Sequence, residues 1–248
     1  MAKGFVPAEG PAAFRRYLEA KFDLDLASLN PRVGARFRER LCAQVSPRLL
    51  DIGTGTGAML RRLLELPLRG EAVLVGLDRD AGSLAAAHRE VARTLRAAGW
   101  TLQGQGSRGR SRPAAGAPIA ARRGGRRLRV ELACGDILRP ELPEAVAAGG
   151  FCAVTAHAVL DLLPVAPTLA RLRSLLSPGG QLYATLNYDG LTTLLPPEAP
   201  GGFEQRLLAE YDRSMERRRA AGPGSRALLP TGGAHSGRRL YAAAAGCG

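Results

Sequence analysis

No apolar run in the 248-residue chain approaches the length of a membrane-spanning helix. The opening residues, Met1-Ala2-Lys3-Gly4-Phe5-Val6-Pro7, also lack the apolar stretch of a secretory signal. Both absences point to a cytoplasmic protein with no membrane partner. The four cysteines, Cys42, Cys134, Cys152 and Cys247, show no paired spacing. That argues against a metal site or a disulfide framework and leaves buried free thiols in a reducing compartment. Aromatic residues are 5% of the chain, so no aromatic and basic stripe for stacking single-stranded nucleic acid is present. Acids are missing between Gly104 and Val130, where eight arginines fall at 108, 110, 112, 122, 123, 126, 127 and 129. Removing those eight from the net charge of +13 leaves +5 for everything else. The charge excess therefore belongs to one low-complexity segment. Residues 103–128 are expected to form a loosely ordered insertion, too poor in apolar side chains to offset ordering entropy. An arginine-rich arm on RNA is the sharper reading of the same residues.

What is present is alternation of strand and helix patterns in a chain that is 46% hydrophobic, enough for one sizeable α/β domain. Residues 12–43 read as helical, with Phe14, Tyr17 and Leu18 and then Val33, Phe37 and Leu41 at helical spacing. Asn30-Pro31 supplies a cap and a first-turn proline. The most informative stretch follows, Leu49-Leu50-Asp51-Ile52-Gly53-Thr54-Gly55-Thr56-Gly57-Ala58-Met59-Leu60. A strand, a glycine turn and a helix with the stripe Met59, Leu60, Leu63, Leu64 make a nucleotide-type ligand site at the end of a first strand.

The second strand, Ala72 to Asp78, ends in a carboxylate 21 positions after Gly57, placed to accept from both ribose hydroxyls of an adenosine. A helix with the face Leu84, His88, Val91, Leu95 follows, His88 reading as structural. A third strand, Arg129–Cys134, runs into Gly135-Asp136-Ile137, and a fourth, Phe151–Thr155, into Ala156-His157-Ala158-Val159. A helix carrying Leu169, Leu172 and Leu176 stops at Ser177-Pro178-Gly179-Gly180 before a fifth strand, 181–187. Phe203, Leu207, Tyr211 and Met215 make a further helical stripe.

Gly53-x-Gly55-x-x-Ala58 fits a permissive dinucleotide fingerprint. The pattern Asp51-x-Gly53-x-Gly55-x-Gly57, with the later landmarks in order over 47–190, instead resembles the class I S-adenosylmethionine-dependent methyltransferases. That resemblance implies an α/β, doubly wound and mostly parallel Rossmann-like sheet over 47–248, preceded by an N-terminal helical cap over 1–46. It implies S-adenosyl-L-methionine as cofactor, held by Asp51, Gly53, Gly55, Gly57, Asp78 with Arg79 beside it, and Asp136 and Ile137 against the adenine. In the family the helix at 236–245 is followed by two strands, one antiparallel beside the fifth. The sequence ends before them, so the expectation is either a truncated chain or a sheet short by two strands with an edge left unpaired.

The acceptor side of such a fold is lined by the ends of strands four and five, where His157, Asp161, Asn187, Tyr188 and Asp189 fall. His157 has the suitable intrinsic pKa for a base or acceptor-orienting group. Asp161 also reads as a helix cap, and 187–190 as a turn. The Asn/Asp-Pro-Pro-aromatic run of base-amino methylation and the proline-preceded cysteine of cytosine methylation are both missing. The reading is methyl transfer to a small-molecule acceptor, with His157 catalytic and no metal. The alternatives are an RNA methyltransferase, a non-catalytic S-adenosylmethionine-binding protein and, more distantly, a dehydrogenase. Oligomeric state is not legible in the sequence.

Overall fold

The computed structural model describes residues 10–103, 117–186, 188–190, 192–194, 196, 202–221 and 228–246. Three helices open the chain, α1 (Pro11–Ala20), α2 (Phe22–Ala27) and α3 (Pro31–Cys42). The Asn30 side chain caps α3 by accepting from the Arg32 and Val33 amides. Then follow β1 (Arg48–Ile52), α4 (Ala58–Leu64), β2 (Glu71–Asp78), α5 (Ala81–Ala97), β3 (Thr101–Leu102), β4 (Ile119–Arg123) and β5 (Arg126–Cys134). The second half comprises α6 (Glu144–Ala147), β6 (Phe151–His157), α7 (Val165–Leu175), β7 (Leu176–Thr185), α8 (Phe203–Glu216), a hairpin of β8 (Arg219–Ala221) and β9 (Leu228–Pro230), and α9 (Ser236–Gly246).

Seven strands form one sheet in the order β3-β4-β5-β2-β1-β6-β7. From β5 to β7 every pairing is parallel. Strand order reverses between β1 and β6, and in an open α/β sheet that switch point is where ligands bind. Alternation along each strand feeds two cores. Leu49, Leu74 and Ala153 pack with α3, α4 and α5 on one face, while Leu50, Val75 and Val154 pack with α6 and α7 on the other.

Three expectations change. Part of the expected insertion is ordered sheet: β4 and β5 form an antiparallel hairpin closed by Gly124-Gly125. Ile119, Ala121, Leu128 and Val130 are buried, so arginines alternate with core residues, a period-2 pattern that low complexity concealed. Its arginines have local partners: Arg123 donates to Ala98 O, Arg126 to Leu66 O and Leu68 O, and Arg129 to Glu131. Residues 104–116 lie outside the described residues. Second, β7 begins at Leu176, with Ser177-Pro178-Gly179-Gly180 inside the strand and its register against β6 shifted there. Proline is tolerated because β7 is an edge strand. Among the described residues no strand covers that edge. Third, Phe203, Leu207 and Tyr211 are exposed on α8, and of that stripe only Met215 is buried, against Tyr188 and Ala234. Val33 is likewise exposed, whereas Phe37 and Leu41 join the core.

The opening helices are tied over the carboxyl ends of the strands. Arg61 stacks on the Phe22 ring at 4.0 Å and Arg62 donates to Phe22 O at 3.4 Å. Phe37 stacks on Tyr183 at 4.7 Å. Replacing Phe22 by Ala should release α1 and α2, because a partly desolvated cation–π contact is worth about 0.5–2 kcal/mol. Amide exchange over residues 11–27 should accelerate while β1 exchange stays as in the parent. Unchanged exchange over 11–27 would place the anchor elsewhere.

Candidate functional site

At the end of β1 the alternation turns Asp51 toward the α4 face, where it is 2% exposed. It accepts from the Thr54 hydroxyl at 2.6 Å and from the Thr155 hydroxyl, its register partner on β6, at 2.7 Å. Burial is the main cause that pushes its carboxyl up to about 6, against the two hydroxyls that lower it. Asp51 thus lies beneath the glycine loop and clamps it to β6. Gly53, Gly55 and Gly57 have φ of 65°, 52° and 83°. Left-handed backbone favours glycine at each. A Cβ on Gly53 would stand 2.8 Å from Val159 Cγ2, and one on Gly55 3.3 Å from Leu18 Cδ1. The β6 exit and α1 therefore close on the loop from two sides.

The three central strand ends are stitched by backbone. Gly53 N donates to Leu77 O at 2.8 Å, and Gly135 N to Asp78 O at 2.9 Å. Asp78 accepts from Gly55 N at 2.8 Å on one oxygen and from Asp80 N at 2.9 Å on the other. A carboxylate has about four acceptor sites, so each oxygen keeps one free. Asp136 accepts from Leu138 N at 3.0 Å, and its other oxygen is 3.8 Å from Arg79, an exposed pairing of little worth. Ile137 is 5% exposed and sits in the core beside Leu77. Asp51, the glycines, Asp78 and Asp136 are brought together at the sheet's carboxyl edge.

His157 is the last residue of β6. Its Nδ1 lies 2.8 Å from the Thr185 hydroxyl and its ring meets the Tyr183 edge at 5.0 Å. Its Nε2 is buried without a partner among the described residues. Burial, and secondarily the charge of Arg62, lowers its pKa to about 4, so the ring is neutral at physiological pH. The next residue, Ala158, has φ 52°, a strained conformation for a residue with a Cβ, held by its amide on Thr185 O at 2.9 Å. Tyr188 donates to Asp212, and Asp189 accepts from Gly237 N at 2.8 Å, so both are committed to the C-terminal segment. Asn187 lies outside the described residues. The described residues hold no cluster of metal-binding side chains and no helix long and apolar enough to cross a membrane. Thr54, Thr155 and Val159 were not singled out from the sequence. Thr155 becomes meaningful only through its parallel register with Asp51.

The Asp51 carboxyl is about 6 in the fold and 3.8 when exposed, so between those values the folded state binds more protons and stability falls as pH rises. A shift of roughly two units corresponds to about 3 kcal/mol. Asp51→Asn should remove that pH dependence and raise the urea midpoint at about pH 8 relative to the parent. A variant that tracks the parent from about pH 4 to 8 would show that Asp51 is not the group responsible. Gly53→Ala should destabilise by about 1–3 kcal/mol through its left-handed φ and the Val159 contact.

No family model and no curated protein sequence matches the chain. Among solved structures, the pyocyanin biosynthetic protein PhzM is 19% identical with a TM-score of 0.49, over 96% of this chain and 53% of that one. CalS10, an amino pentose methyltransferase from Micromonospora echinaspora solved with S-adenosylmethionine, is 21% identical with a TM-score of 0.42, over 77% and 60%. The plantazolicin methyltransferase BpumL, solved with S-adenosylhomocysteine, is 17% identical with a TM-score of 0.41, over 70% and 50%. The chain spans half to three fifths of the length of these proteins. At such values the likenesses add nothing to the chain's own strand order, which by itself makes the fold a doubly wound, mostly parallel Rossmann-like sheet.

Proposed function

We propose that the chain is an S-adenosylmethionine-dependent methyltransferase acting on a small-molecule acceptor. The observation that carries this reading is the Asp78 carboxylate, which holds the Gly55 amide while keeping an acceptor site free on each oxygen. That arrangement at a switch point fits the two vicinal hydroxyls of an adenosine ribose. Asp136 would receive the adenine amino group, and Gly53, Gly55 and Gly57 would let the backbone approach the ligand. Asp51 supports the loop from below, Ile137 closes the core beside the adenine side, and Arg79 is the exposed cation next to Asp78. The sulfonium of the bound cofactor would supply an already activated methyl group. The chain's own work is then to position the acceptor, exclude water and handle a proton.

His157 serves in this reading as the acceptor-orienting group. Its ring is fixed by Thr185 and Tyr183, and its unpartnered Nε2 offers one hydrogen bond.

Calorimetry should show binding of S-adenosylhomocysteine and none of NAD. Asp78→Ala should weaken that binding about tenfold or more, because hydrogen bonds to a charged group are worth about 1.5–3 kcal/mol each. Parent-like binding by Asp78→Ala would remove Asp78 from the site. His157→Ala should leave S-adenosylhomocysteine affinity unchanged and lower turnover about a hundredfold or more. Because burial holds the ring neutral down to about 4, the parent's turnover should show no limb near the ordinary histidine value. A limb there would show that His157 is protonated in the working enzyme.

A further inference from the structure

The β4–β5 hairpin sets two pairs of arginines directly opposite each other, Arg123 against Arg126 and Arg122 against Arg127. Directly opposed side chains on neighbouring strands have Cβ atoms about 5 Å apart, and like charges so placed repel. The first pair is compensated. Both guanidiniums lie 5.3 Å from the centre of the Trp100 ring, Arg123 donates to Ala98 O, and Arg126 donates to Leu66 O and Leu68 O. The second pair lies on the other face of the sheet, in an exposed row that runs Thr101, Arg122, Arg127, Glu71 across β3, β4, β5 and β2. Arg122 is the exception among the hairpin's arginines, with no hydrogen bond, ion pair or ring contact from its side chain among the described residues. The Arg127 guanidinium has Glu71 at 3.9 Å, an exposed pairing of little worth. A cleft of about 290 Å³ opens beside Arg122, lined by Gly99, Thr101, Arg122, Arg123 and Gly124. A Cβ on Gly99 or Gly124 would meet nothing within 4 Å, so the cleft is open. None of the five residues is acidic, and the Arg123 bond to Ala98 O covers the negative carbonyl end of α5 on this side.

We propose that this cleft binds the phosphate monoester of a small molecule. Such a group carries a charge of about −1.5 to −2 at pH 7, which matches the two arginines of the row. Its oxygens can take paired N–H bonds from each planar guanidinium fork, and Thr101 adds a hydroxyl. Bound between Arg122 and Arg127, the anion replaces one repulsion with two attractions. The surroundings keep the site small. Glu71 ends the row on β2, and Arg129, two positions along β5, is taken by Glu131 at 2.7 Å. Cations bracketed by carboxylates suit one compact dianion better than the run of phosphates along a nucleic-acid strand. No residue of the row or the cleft is aromatic, so a base would find no ring to stack on. Arg127 precedes Cys134 on β5 by seven residues, about 23 Å at the rise of a parallel strand. The cleft therefore lies at the end of the sheet opposite the glycine loop and Asp78, and it is independent of the methyltransferase reading.

Calorimetry with methyl phosphate should show saturable binding to the parent, with a dissociation constant of about 1 mM or tighter. Dimethyl phosphate, a diester with less charge, should bind about tenfold or more weakly. Arg122→Gln should weaken methyl phosphate binding about tenfold or more, and Arg122→Lys should fall between the two, because it keeps the charge and loses the fork. Arg129→Gln should bind like the parent, since that guanidinium belongs to Glu131. Without ligand, Arg122→Gln should melt no lower than the parent, because it loses a repulsion and no partner. Methyl phosphate should then raise the melting temperature of the parent more than that of the variant. Absence of saturable binding by the parent, equal binding of the two esters, or parent-like binding by Arg122→Gln overturns the assignment. A single-stranded RNA with hydroxyl ends that binds more tightly than methyl phosphate, and is weakened alike by Arg122→Gln and Arg129→Gln, would replace it with a nucleic-acid surface. S-adenosylhomocysteine affinity should be the same in all these variants. A parent that does not bind S-adenosylhomocysteine would remove the methyltransferase reading and leave this site standing.

Discussion

A buried carboxylate is the constraint on which the switch point depends. Asp51 is buried where β1 gives way to the glycine loop, and two hydroxyls hold it, one from the loop itself and one from β6. Neither hydroxyl partner is near in sequence to the other, so the bonds join the first strand, the turn and the fourth parallel strand into one unit. A loop that must keep three left-handed residues needs such external ties, because each such position costs conformational entropy to order. Asp78 supplies the second tie by taking the Gly55 amide, and Leu77 O the third by taking the amides of Gly53 and Thr54. The loop is preorganised from below by Asp51 and from the side by β2, and only its outer surface is left for a ligand.

What lies over that surface comes from both ends of the chain. Leu18 and Arg15 of α1 reach Gly55 and Asp80, while Gly232 closes over Asp161 and Arg239 secures Gly232 O. The sheet thus fixes one half of the site and peripheral elements the other. This division has a thermodynamic consequence. The sheet half is made by backbone bonds and buried apolar contacts, while none of the described side chains of α1 and α2 is fully buried and the two helices rest on cation–π and single hydrogen-bond contacts. Opening of the cover should need far less free energy than opening of the sheet.

The sheet half was readable in the sequence because its signals are local. Apolar runs of strand length identify β1, β2, β5 and β6 within a few residues, helped by a glycine turn after β1 and by an acid at or just past the ends of β1, β2 and β5. The failures are equally physical. β4 was hidden because arginines fill the exposed positions of an amphipathic strand and because Gly124-Gly125 resembles low complexity as much as it resembles a hairpin turn. The start of β7 was hidden by a proline and two glycines, which an edge strand accepts and a central one does not. Phe203, Leu207 and Tyr211 have ideal helical spacing, but spacing reveals a stripe and not whether anything covers it. Asp51 and Asp78 stand out in the sequence as candidates, but the bonds that tie them to the glycine loop do not, since Thr155 is 104 positions from Asp51 and meets it only through strand register.

Burial moves two titratable groups at the seam in opposite directions, and both moves favour the neutral form. Asp51 is pushed up to about 6 and His157 down to about 4. The region between β1, β6 and β7 therefore behaves as a weakly polar interior into which the sheet admits few charges, while Asp78 stands at its rim. Coulombic interactions strengthen as the effective dielectric falls, so a charge brought to this seam is felt more strongly than at the surface. A cation there would draw Asp51 toward its ionised form, and by reciprocity ionised Asp51 would hold the cation more tightly. The neutral His157 ring adds no repulsion to that balance. An acid beneath the loop and an uncharged imidazole beside it therefore suit a positively charged ligand better than the chain's overall charge of +13 suggests.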